Sequence, residues 1–186
     1  CRALREDAPE DGAPLESLLD PLFEEWTPRS FGTPGPGYFA YIPGGGVYPA
    51  ALADFIADTA NRYTGIWQAA PALVQLEANT LDWLRDWMQF PASARGLYTP
   101  GGSMAMFNAI AAAREDRLGH DIRAGTLYVS SQSHHSITKA ARLAGIAHDR
   151  VRTIEVDENF RMRVDVLKAA VAEDRAAGLK PFMVFR

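Results

Sequence analysis

The spacing of hydrophobic positions changes character near the middle of the chain. In the first half it is helical where it is regular at all. "LESLLDPLFEEW" (residues 15–26) has leucines at helical spacing, and Pro21 limits it to two short pieces. "AALADFIADTANRY" (50–63) sets Leu52, Phe55, Ile56 and Thr59 on one face. "PALVQLEANTLDWLRDWM" (71–88) opens on Pro71, a first-turn position. Its Leu73, Leu76, Leu81, Leu84, Trp87 and Met88 point mostly one way, which predicts a well-buried helix. After Gly101 and Gly102 the period alternates. Helices are predicted over 103–118, 136–143 and 164–177, with Gly145 and Gly178 as stops. Between and after them, "GTLYVSS", "VRTIEV" and "PFMVF" read as strands. Strands alternating with helices of this length define an α/β class with a mostly parallel sheet flanked by helices.

One stretch has no period. Residues 27–50, "TPRSFGTPGPGYFAYIPGGGVYPA", are crowded with Pro and Gly and exclude a regular element. Five aromatics, from Phe31 to Tyr48, sit in it. Such a loop is either functional or a surface cover for the core.

Composition narrows the function classes. With 186 residues and 47% apolar positions the chain can bury a sizeable core. A net charge of −4 without a Lys/Arg cluster gives no case for nucleic acid. No apolar run approaches a membrane span, so no membrane partner is expected. The single cysteine, Cys1, allows neither an internal disulfide nor a Cys-based metal site, in keeping with a reducing, cytoplasmic setting. A chain opening on Cys1 and closing on the strand "KPFMVFR" is expected to be part of a longer protein; the alternative is a natural edge strand.

Two stretches carry candidate chemistry. In "TPGGS", Gly102 and Ser103 open a helix whose first N–H groups lack internal partners and face the positive end of the dipole. That set suits a phosphate, although a serine after a flexible turn is also an ordinary helix cap. It is neither a P-loop nor a dinucleotide fingerprint. In "SQSHHS", His134 and His135 follow a strand and precede a helix, where ligands bind in α/β sheets. Exposed loop histidines would look the same. Adjacent histidines rarely chelate one ion, so no metal is expected.

Four segments in order give the chain a resemblance to a family. They are "GYFAYIPGGGVYPAALAD", "WQAAPALVQLE", "TPGGSMAMFNAIAAARE" and "YVSSQSHHSITKAARLAG". Together they resemble the group II decarboxylases that use pyridoxal phosphate, the aromatic amino acid and glutamate decarboxylases. The resemblance implies an incomplete fold-type I large domain. Residues 1–50 would be an N-terminal segment with short helices and a substrate loop, and 51–186 the first part of the cofactor-binding domain. It implies that Gly102 and Ser103 bind the cofactor phosphate, and that His134 stacks on the pyridine ring and acts in catalysis. It places Tyr41, Ile42, Pro43, Gly44 and Trp67 in the substrate pocket, Trp67 near a homodimer interface. The implied reaction is removal of the α-carboxylate from an L-amino acid, an aromatic one first. Alternatives are an aldehyde-forming oxidative decarboxylase, a lyase of the same fold type, or a non-catalytic scaffold relative.

The sequence departs from the family pattern at Met104, Met106, His135 and Gly44. None of the three lysines, Lys139, Lys168 and Lys180, matches the lysine that the family links to the cofactor. The chain alone is therefore expected to be inactive.

Overall fold

The structure is a computed structural model that describes residues 5, 7–41 and 44–185. The chain forms two compact units, residues 1–79 and 80–186.

The first unit is helical. α1 (Leu15–Asp20) runs into a π-helical turn, Pro21–Trp26, with the proline at the junction as its missing N–H requires. A short 3-10 turn, Thr27–Arg29, follows inside the Pro- and Gly-rich stretch 27–50, where no regular element is expected. α2 (Tyr48–Ala60) ends where Asn61 takes a left-handed conformation, φ 42°. Of the described residues in this unit only Ala70 is buried.

α3 (Pro71–Trp87) forms as predicted, but its burial does not. Leu73 and Leu84 are exposed, and Leu76, Trp87 and Met88 expose 59%, 74% and 69% of their surface. Amphipathic spacing shows which face of a helix needs cover; it does not supply the cover.

The second unit is the α/β part. α4 (Gly102–Leu118), β1 (Gly125–Ser130), α5 (Ser136–Leu143), β2 (Val151–Ile154), α6 (Val164–Ala176) and β3 (Lys180–Phe185) follow in sequence. The strands pair in the order β2-β1-β3, all parallel. This is the expected class. Gly145 and Gly178 adopt φ of 83° and 77°, as their predicted role as helix stops requires.

β1 is central and buried along its whole length. Its side chains alternate between two layers. Leu127 and Val129 join Ile110 of α4, Ile137, Ala140 and Ala141 of α5, and Ala144 just after it in the apolar core. Thr126 and Tyr128 take the other side, where a polar network replaces an apolar layer. The Tyr128 hydroxyl lies 3.2 Å from the Thr126 hydroxyl and donates to Asp174 of α6 at 2.7 Å. Arg152 of β2 pairs with the same carboxylate. Burial pushes the Tyr128 pKa up from 10.0 to about 12, the Asp174 hydrogen bond adding to it and the Thr126 bond opposing. Burial also disfavours the charged Asp174, but the bonds from Arg152 and Tyr128 outweigh it and hold that carboxyl below its usual value.

Candidate functional site

Two helix starts and one strand end build the site. The N–H groups of Met104 and Ala105 both donate to the Gly101 carbonyl at 3.1 Å, so α4 begins there. Gly102 and Ser103 precede the first of these bonds, and their N–H groups are the unpaired donors of the helix start. No side chain caps them. A Cβ on Gly101 or Gly102 would meet nothing within 4 Å, so the approach to these donors is open. The Ser103 hydroxyl has no partner among the described residues and is exposed. The turn ahead is held by Thr99, whose hydroxyl donates to the Gly101 carbonyl at 3.1 Å.

The second element leaves the C-terminal end of β1. Ser131 N–H donates to the Ile154 carbonyl at 2.9 Å, and Ser133 N–H to the Ser130 carbonyl at 2.9 Å. The Ser130 hydroxyl accepts from Gln132 N–H at 3.1 Å. This tight turn delivers His134 just before α5. Its Nδ1 lies 2.8 Å from the Ser136 hydroxyl and accepts the Ser136 N–H at 3.2 Å. The His135 ring lies against it, centroids 4.2 Å apart and tilted by 35°.

The two elements meet in one cavity of about 370 Å³, lined by Gly102, Ser103, Met106, His134, Ser136 and Ile137. His135 lines a different one, with Thr138, Lys139, Arg142 and Leu143. Gly102, Ser103 and His134 thus come together as a group. Ser136 and Ile137 were not singled out in the sequence. A serine two residues after a histidine and opening a helix was the available signal; Ile137 gave none beyond being apolar.

The other candidates lie in the first unit. Tyr41 and Gly44 are exposed, and Tyr41 holds a left-handed backbone, φ 62°, unusual for a bulky residue. Its ring lies 6.4 Å from that of Phe31. Phe31, Phe39, Tyr41 and Tyr48 expose 75% or more of their surface, so these aromatics do not act as a core cover. Trp67 opens a 3-10 turn, Trp67–Ala69, and is half exposed. Ile42 and Pro43 lie outside the described residues.

The pyridoxal-dependent decarboxylase conserved domain matches residues 2–186, and the chain belongs to that family. It is 36% identical over 181 residues to an aromatic-L-amino-acid decarboxylase of Bacillus atrophaeus, covering 97% of this chain and 38% of that protein. It is similar in fold to Oryza sativa TDC with PLP and tryptamine: TM-score 0.89, 28% identity, 98% of this chain and 41% of that one. Rhodiola rosea 4-hydroxyphenylacetaldehyde synthase gives TM-score 0.89 at 27% identity, over 98% of this chain and 42% of that one. The chain thus spans about two fifths of the length of these proteins. Its fold is part of the large domain of a pyridoxal phosphate decarboxylase, and pyridoxal phosphate is the family's cofactor.

The residues present fit part of that cofactor. Open N–H donors and a free hydroxyl suit a phosphate, and an imidazole in the same cavity suits a flat ring. No lysine lines the cavity.

Proposed function

We propose that the full-length protein is a pyridoxal phosphate-dependent carboxy-lyase acting on an L-amino acid, an aromatic one by preference. The observation that carries this reading is the shared cavity of Gly102, Ser103 and His134 at the C-terminal end of the central strand. Gly102 and Ser103 bind the phosphate through their N–H groups and the Ser103 hydroxyl. His134 stacks on the pyridine ring, keeps it from turning and stands ready to move a proton. Held there by Gly102, Ser103 and His134, pyridoxal phosphate would supply the electron sink that loss of carbon dioxide from the substrate α-carbon requires. Tyr41, Ile42, Pro43, Gly44 and Trp67 are the proposed substrate contacts. The aromatic preference draws support from the Bacillus atrophaeus relative. A homodimer is proposed as well, supported by the exposed Phe55 and Ile56 on α2, because patches of that kind mark interfaces. Amino acid metabolism in the cytoplasm is the proposed setting. Among the described residues no helix is long and apolar enough to cross a membrane.

The test is product analysis. The full-length protein with pyridoxal phosphate is given L-tryptophan, L-tyrosine, L-phenylalanine and L-glutamate in turn. Amine and carbon dioxide in equal amounts from an aromatic substrate are expected. Turnover of glutamate alone would reverse the substrate preference, and no turnover would remove the reading. The likeness to 4-hydroxyphenylacetaldehyde synthase favours one rival, an aldehyde-forming enzyme. Aldehyde with uptake of oxygen, in place of amine, would select it.

A further inference from the structure

We propose that Ser136 is a positioning residue that fixes the tautomer of His134. The inference rests on the functional reading above and adds a residue to it.

The Ser136 N–H donates to Nδ1 of His134 at 3.2 Å. A ring nitrogen that accepts an N–H carries no proton of its own. The Ser136 hydroxyl, 2.8 Å from the same nitrogen, must then be a donor too. Two donors from one residue converge on Nδ1, so the ring proton sits on Nε2. The partner of one ring nitrogen sets what the other can do. Here it leaves Nε2–H as the free donor of a ring that shares its cavity with Ser103.

The fold makes Ser136 hard to displace. It is the first residue of α5 and only 6% exposed, so bulk water does not compete for its hydroxyl. Its N–H belongs to the helix start, where a donor has no helical partner, and the histidine ring serves as the missing acceptor. One bond therefore ends the helix cleanly and orients the imidazole. His135 makes no hydrogen bond to His134; its ring packs against it, tilted by 35° with centroids 4.2 Å apart.

The test is nitrogen NMR on the full-length protein labelled with 15N-histidine, without cofactor, His134 being assigned by its loss in His134→Gln. The expected spectrum shows His134 Nδ1 unprotonated and Nε2 protonated. Ser136→Ala keeps the N–H and removes the hydroxyl. It should lower the tautomer ratio about fivefold, the worth of one hydrogen bond, and move Nδ1 towards its protonated position. Ser136→Thr, which restores a hydroxyl, should bring the signal back. A protonated Nδ1 in the parent, or identical ring signals in Ser136→Ala, would overturn the inference. Cofactor binding followed by its visible absorbance separates the two readings. Expected ring signals in a parent that does not bind pyridoxal phosphate would count against the proposed function alone. Normal binding with unaltered signals in Ser136→Ala would count against the role of Ser136 alone.

Discussion

Replacing Asp174 by alanine tests the polar layer beneath β1. Asp174 is 1% exposed and accepts the Tyr128 hydroxyl at 2.7 Å. Tyr128 is 0% exposed, and its other partner is the Thr126 hydroxyl at 3.2 Å. Without the carboxylate the tyrosine hydroxyl is partly stranded, which costs about 1–3 kcal/mol. Arg152 loses its ion pair, but its side chain is 39% exposed and regains water. That loss adds no more than about 1 kcal/mol. The sum is roughly 1–4 kcal/mol, most of it belonging to the tyrosine. Asp174→Asn, which keeps an acceptor and loses the charge, should cost less than Asp174→Ala. In a Tyr128→Phe background there is no tyrosine hydroxyl for the lost carboxylate to strand, so Asp174→Ala should cost at least about 1 kcal/mol less than in the parent. Native-state hydrogen exchange of the β1 amides in the full-length protein reads these differences where they arise. Global denaturation of a multi-domain chain would not. Equal costs of Asp174→Ala in the two backgrounds would refute the reasoning.

Three further outcomes are expected from the same structure. Ser103→Ala should weaken pyridoxal phosphate binding by about 10- to 150-fold, the value of a hydrogen bond to a charged group; spectral titration of the full-length protein measures it, and parental affinity would exclude Ser103 from the phosphate site. The Tyr128 pKa is raised to about 12 in the folded state against an ordinary 10.0, so its contribution is whole below pH 10 and is lost as pH rises towards 12; exchange of the β1 amides against pH checks this, and Tyr128→Phe should flatten the curve. Gly125→Ala would bring a methyl group within 2.3 Å of Leu118 Cδ1 and 3.2 Å of the Ile122 carbonyl, and should destabilise the second unit by about 1–3 kcal/mol in the same exchange experiment.

What the sequence disclosed depended on how local the governing rule was. The start of α4, the Gly145 and Gly178 stops and the strand–helix alternation follow from neighbours a few residues apart, and each was readable. That Gly102, Ser103 and His134 would lie together in one cavity was readable from the order of their motifs. The burial of α3 was misjudged, since a stripe of leucines reports an appetite for contact and not its fulfilment. The Thr126–Tyr128–Asp174–Arg152 network was invisible. Tyr128 and Asp174 lie 46 positions apart, and an aspartate near the end of a helix ordinarily reads as solvent-facing. The Ser136–His134 pairing was hidden for another reason: it depends on a ring rotation that no spacing rule encodes. The left-handed backbone of Tyr41 was equally silent, because a tyrosine does not advertise that region as glycine or asparagine does.

The layer between α4 and α5 has a metrical consequence. Ser103 stands at the head of one helix and His134 just before the other. Ala140 and Ala141 of α5 and Ala144 just after it, 2%, 0% and 3% exposed, share one apolar core with Ile110 of α4. Side chains this small let packed helices approach closely, because the separation of helix axes follows the side chains at their contact. A larger residue at Ala141 would part the axes. It would lengthen the span from hydroxyl to imidazole without touching either, so a substitution deep in the core would act as a change of calibre at the surface.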